Sequence, residues 1–129
     1  MTETDIYQKY LKKYNYIVEF TKIESGSTKC GIPDIYYLSN INNSHGWLEL
    51  KIGYLSKGVI KIDYRPGQQN WLAKHLDKGL NSFTLIFYDT LFYLTRYFID
   101  SFESKQHLTS HSLWVGYKLN QEFIKRILL

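Results

Sequence analysis

Apolar and polar positions follow two rhythms along this chain, and the switches between them mark its elements. Over residues 3–14, Ile6, Tyr7, Tyr10, Leu11 and Tyr14 recur three and four apart, with Lys9, Lys12 and Lys13 on the other side. That spacing predicts an amphipathic helix, which Thr2 or Thr4 can cap and Asn15 ends. Over residues 16–24 the rhythm becomes alternation, with Ile17, Val18, Phe20 and Ile23 set among Glu19, Thr21 and Lys22, and a strand is predicted. A small polar loop, residues 25–29, leads to Gly31. Two apolar runs, 35–38 and 46–52, flank a turn-rich connector over 40–46 and read as a strand pair. Residues 53–63, with Lys57-Gly58 at their centre, read as an exposed basic loop or ribbon.

A second helix is predicted over 66–78, with Pro66 in its first turn and Gly79 ending it. Runs 82–88 and 91–95, split by Asp89-Thr90, predict a terminal hairpin. Beyond Arg96 the pattern predicts a short helix over 98–103, a polar loop to His111, a segment around Trp114 and a last helix over 120–128. Helix, three strands, helix, two strands is an α/β order with a mixed sheet flanked by helices. One domain is expected over 1–129, its core about 3–95 and a C-terminal extension about 96–129.

Within this pattern two stretches set charge among large apolar neighbours. Asp34 follows the turn Gly31-Ile32-Pro33 at the mouth of one run, and Trp47-Leu48-Glu49-Leu50-Lys51 forms the other. Side chains two apart in a strand leave from one face, so Glu49 and Lys51 share a face opposite Leu48 and Leu50. The expectation is one wet, charged face and one core face. If the runs pair, Asp34 and Glu49 converge beside Lys51. Two carboxylates and an ammonium are parts that hold a hard divalent cation and orient water at a phosphodiester.

Gly31-x-Pro33-Asp34 followed by Glu49-x-Lys51 resembles the PD-(D/E)XK nuclease superfamily, and is most similar to its small phage endonuclease and Holliday-junction-resolvase-like branch, near the VRR-type nucleases. The resemblance spans about residues 16–93. It implies the restriction-endonuclease-like core, with Asp34 and Glu49 as ligands of Mg²⁺ (Mn²⁺ substituting) and the backbone carbonyl of Leu50 as a further ligand. It implies that Lys51 orients or deprotonates the attacking water and stabilises charge on the phosphate. Arg65-Pro66-Gly67-Gln68-Gln69-Asn70-Trp71-Leu72 matches the branch's Arg-x-x-Gln-x-x-Trp-Leu, which implies Gln68 near the metal or scissile phosphate and Arg65 near the backbone. Lys22-Ile23-Glu24-Ser25 resembles the basic-x-Glu segment of phage relatives and makes Glu24 the preferred accessory acid, ahead of Glu3 and Asp5 on the first helix.

Composition is compatible with a polyanionic partner. Sixteen Lys and Arg against twelve Asp and Glu give a net charge of +4, a bias compatible with nucleic acid. Lys29, Lys57, Lys61 and Lys74 flank the motifs and are candidates for phosphate contacts, which position without reading sequence. Aromatics reach 17%, twelve of them Tyr, which suits a half-wet sheet and also stacking on unpaired bases. One cysteine, Cys30, excludes an intrachain disulfide and points to a reducing compartment. No stretch reads as a signal peptide or a membrane span, so the expected location is cytoplasmic, that of the host cell for a phage protein. His107 and His111 lack the further ligands that zinc requires. No phosphate-cradling glycine loop or nucleophile elbow is present.

The expected function is metal-dependent endonucleolytic cleavage of DNA, with branched or structured DNA as substrate and a homodimer for symmetric cutting, its interface formed by the tail from Trp114 to Leu129. The rivals are a site-specific, homing or restriction-like enzyme and a non-catalytic DNA- or protein-binding module on the same fold.

Overall fold

The computed structural model describes residues 1–23 and 31–128. The first helix, α1, is capped by Thr2, whose side chain accepts from the Asp5 N–H while Asp5 accepts from the Thr2 N–H. It runs as an α turn Glu3–Asp5, a wider π segment Ile6–Leu11 and a tight last turn Lys12–Tyr14. Bonding from i to i+5 brings residues five apart towards one side, and Ile6 and Leu11 are both fully buried. The strands β1 (Val18–Lys22), β2 (Ile35–Ser39) and β3 (His45–Ile52) then pair antiparallel in sequence.

A hairpin, β4 (Tyr54–Ser56) and β5 (Val59–Lys61), follows, and helix α2 (Gln68–Asp77) returns the chain to β6 (Asn81–Tyr88), parallel to β3. The hairpin partner β7 (Leu91–Thr95) comes next, then β8 (Ser101–Phe102), helix α3 (Lys105–Ser110), β9 (Ser112–Gly116) and helix α4 (Gln121–Leu128). The six-stranded mixed sheet has the order β1-β2-β3-β6-β7-β9, and β4-β5-β8 form a second, three-stranded sheet. This is a mixed α/β fold with helices against the sheet.

Strand alternation divides the interior into two cores. On one face Val18, Phe20, Ile35, Tyr37, Leu48, Leu50 and neighbours on β6 and β7 pack with Ile6 and Leu11 of α1 and Phe123, Ile124 and Ile127 of α4. On the other, Ile86 and Tyr93 pack with Ile60, Ile62, Phe102 and Leu108 from the small sheet and α3. Helix α2 lies over this second face, with Leu72 fully buried.

The structure changes several expected boundaries. Helix α2 starts at Gln68, because Gly67 takes φ +86°, outside helical space, and leaves Pro66 in the preceding turn. Its end follows the pattern: the Gly79 N–H donates to the Leu76 carbonyl and the Leu80 N–H to the His75 carbonyl. The predicted helix over 98–103 is absent. Phe102 instead pairs with Ile60, and the Asp100 carbonyl accepts from the Ile62 N–H. The helix lies one segment later, where a polar loop was expected, and Ser104 caps it by accepting from the His107 N–H. Residues 53–63 are a ribbon, but Ile60 and Ile62 are core residues rather than exposed ones.

The tail from Trp114 was expected as a dimer interface. Its apolar side chains Leu119, Phe123, Ile124, Ile127 and Leu128 are buried in the chain's own core, and the Tyr37 hydroxyl donates to the Ile127 carbonyl at 2.7 Å. Among the described residues no helix is long and apolar enough to cross a membrane.

Candidate active site

The β2–β3 ladder runs only as far as Ile35 opposite Leu48, and beyond it backbone groups of β3 lose their strand partners. The Asp34 carboxylate takes up one of those groups, and the Glu49 carboxylate takes up the Asp34 N–H. The Leu50 N–H donates to Asp34 Oδ2 at 3.1 Å, and the Asp34 N–H donates to Glu49 Oε1 at 3.1 Å. The turn from Gly31 and Pro33 therefore delivers Asp34 directly against the middle of β3.

Helix α2 supplies the other side. Gln68 Nε2 donates to Glu49 Oε2 at 2.8 Å, and Gln68 Oε1 accepts from the Arg65 N–H at 2.8 Å. Both ends of the amide are held, so the side chain orients Glu49. Lys51 Nζ lies 3.3 Å from Glu49 Oε2, and Arg65 Nη2 lies 3.5 Å from Asp34 Oδ1. Asp34, Glu49, Lys51, Gln68, Leu50 and Arg65, all singled out from the sequence, are thus brought to one place.

The Glu49–Lys51 face is not wet. Glu49 is 0% and Lys51 5% exposed, because β3 is interior to the sheet, between β2 and β6, and Gln68 and Tyr64 close over it. Loss of solvent pushes the Glu49 carboxyl up to about 8; the Asp34 charge adds to the rise and Lys51 opposes it.

Two contributors escaped the sequence reading. Tyr64 places its ring 5.5 Å below Lys51 Nζ and donates its hydroxyl to Thr84 Oγ1 at 2.9 Å. Thr84 stands in register with Glu49 on β6. No local spacing announces either, since both act through contacts across the sheet.

The third acid is Glu3. Oxygens of Glu3, Asp34 and Glu49 all lie within 4.8 Å of one another. Glu3 comes from the first turn of α1, and with Thr4, Tyr7, Lys22, Asp34 and Leu50 it lines a cleft of about 140 Å³. Its carboxyl is also held above the ordinary range, first by loss of solvent, with Lys51 opposing and the Asp34 charge adding. The preferred accessory acid Glu24 lies outside the described residues, as do Lys29 and Cys30.

The remaining basic candidates do not join the cluster. Lys57 sits at the exposed β4–β5 turn, Lys61 on β5 and Lys74 on the exposed side of α2. Among the described residues none of the three forms an ion pair with the acids. His107 and His111 stand on α3 and its C-cap with rings 5.1 Å apart, and no third ligand joins them among the described residues.

No model of a known protein family matches the chain, and no curated protein or solved structure matches it.

Proposed function

We propose that this chain is a metal-dependent DNA endonuclease of the PD-(D/E)XK kind, acting on branched or otherwise structured DNA. One observation carries the reading: carboxylates from three separate elements, Glu3 on α1, Asp34 before β2 and Glu49 in β3, converge beside a buried lysine. Burial first, and the Asp34 charge after it, oppose ionisation of Glu49 and of Glu3, and a divalent cation would relieve that opposition. The donor set, carboxylate oxygens alone, suits Mg²⁺ or Mn²⁺ rather than a soft metal.

Glu3, Asp34 and Glu49 would hold the cation. Leu50 would add its carbonyl, which leaves an extended strand on the same side as the N–H bound to Asp34. The chemistry such a cation supplies is Lewis acidity towards a phosphoryl oxygen and a lowered pKa for water. The protein's own groups do the rest. Gln68 fixes the Glu49 carboxylate through Oε2. Lys51, shielded from water and held over Tyr64, brings positive charge to where the phosphate gains negative charge. Arg65 is more than half exposed beside Asp34 and has the fork of donors that grips a phosphate. Junction resolution takes two copies of the site, and a homodimer would have to meet through a surface other than the buried face of α4.

The test is cleavage of a labelled four-way junction, a nicked duplex and a linear duplex in Mg²⁺, Mn²⁺ or a chelator. Metal-dependent cutting is expected. Gln68→Ala should lose roughly 10–100-fold, the usual cost of removing an outer partner of a metal ligand, and Glu49→Ala should lose more. Cutting that survives Glu49→Ala, or no cutting in either metal, sinks the proposal.

A further inference from the structure

The same sheet face carries a feature that deepens the nuclease reading and rests on it for the identity of the bound strand. Tyr36 and Trp47 stand opposite each other on β2 and β3, two residues along from Asp34 and Glu49. Two residues of strand is about 7 Å, so the rings begin one step from the acids. Tyr36 and Trp47 meet edge-on at 5.1 Å, Trp47 meets Trp71 of α2 at 5.0 Å, and the His45 ring lies 6.1 Å from Tyr36. None of the four belongs to either buried core. One row further, Leu38 is 42% exposed opposite an exposed His45.

Beyond Trp47, where α2 ends and β3 and β6 begin, a cleft of about 160 Å³ opens. Trp47 and Leu80 supply apolar wall, and Asn43, Ser44, His45 and Asn81 supply polar rim. Asn81 Nδ2 donates to the His45 carbonyl and to Ser44 Oγ. Asn43 lines the cleft with Asn81, and an asparagine amide carries both an acceptor and a donor. The cluster is half open, with Tyr36, Trp47 and Trp71 half-buried and His45 exposed, and three of its four rings stand on the strands next to the acids.

We propose that the cleft takes one unpaired nucleobase of the strand being cut, stacked on Trp47 with its edge towards the Asn43 and Asn81 amides. A planar heteroaromatic ring with donors and acceptors on its rim matches the lining, and the volume suits one such ring. Intact duplex hides base faces within its own stack. The substrate class is therefore nucleic acid with single-stranded nucleotides beside the scissile phosphate, as at a flap, a gap or an opened junction.

The experiment measures binding of the full chain in a chelator, so that nothing is cut, to a short labelled single strand, the same strand with abasic sites, and a duplex. Quenching of tryptophan fluorescence is followed alongside anisotropy. The normal strand should quench, and the abasic strand, with identical charge, should bind roughly ten-fold more weakly. Trp47→Ala should make the two strands bind alike, and Trp47→Phe should restore most of the difference. Equal affinity of the wild type for normal and abasic strands overturns the proposal without any variant. So does competition by a free mononucleotide as strong as that by the strand. Cleavage separates this outcome from the nuclease reading: base-dependent binding with no cutting in Mg²⁺ or Mn²⁺ removes the nuclease and keeps the cleft, and cutting of linear duplex without base dependence does the reverse.

Discussion

At Glu49 the neighbours disagree about the proton. Both oxygens accept hydrogen bonds, from the Asp34 N–H and from Gln68, and Lys51 stands beside one of them; these favour the carboxylate. Burial and the Asp34 charge favour the neutral acid, and they win, with the carboxyl pushed up to about 8 from an ordinary 4.5. A raised folded pKa means that the fold gains stability from the protonated form. That gain is complete below the unfolded value and is lost as pH rises through the folded one. In a chelator, the melting temperature should therefore fall between about pH 5 and pH 8, and Glu49→Gln should flatten the fall. If Mg²⁺ binds there as proposed, it should raise the melting temperature more at pH 8 than at pH 5, because it would take the place of the proton. A wild type whose melting temperature does not respond to pH more than that of Glu49→Gln would show that Glu49 is ionised without help. The acid in β3 was evident from its place among apolar neighbours; its burial was not, because a strand's own pattern does not say what covers it.

Elements here depend on a few backbone positions of opposite quality. Gly31 holds φ +96°, and a Cβ placed on it would lie 2.7 Å from the Gly67 carbonyl oxygen. Gly31→Ala should cost about 2 kcal/mol or more in denaturant unfolding, from a strained φ and an overlap with backbone. It should also lower any metal-dependent activity, since the turn sets Asp34. Thr90 is the converse. It takes φ 72° in the two-residue turn between β6 and β7, where a β-branched side chain is strained. Thr90→Gly should stabilise by about 1 kcal/mol, measured in the same way, and an unchanged midpoint would mean the turn has relaxed elsewhere. Helices α1, α2 and α4 and strands β1 to β3, β6 and β7 were readable because each has a strong local period. The stretch 98–103 was not, since Phe98, Ile99 and Phe102 have a helical spacing that pairing with β5 overrides. The Ser104 cap of α3 was present in the sequence and carried the correct boundary.

On the scale of the molecule, the C-terminal third is part of the core. Strand β9 pairs with β7, and α4 buries Phe123, Ile124 and Ile127 against α1 and the sheet. Loss of a single buried Phe costs about 3–5 kcal/mol, on the scale of a small domain's whole stability. A chain ending at Thr95 should therefore show no cooperative thermal transition, and one that melts cooperatively would mean that residues 3–95 fold alone. By itself the sequence determined the local matters: the rhythm of most elements, the Gly-x-Pro-Asp turn, the Glu-x-Lys strand and the Arg-x-x-Gln approach to α2. These follow from φ preferences and side-chain periods over a few residues. Only the tertiary structure decided that Glu3 completes the acid cluster, that Tyr64 and Thr84 support Lys51, that the Glu49–Lys51 face is dry, and that α4 packs its apolar side chains inward. Each of these rests on contacts between residues far apart in the chain, whose free energy comes from burial that no local spacing records.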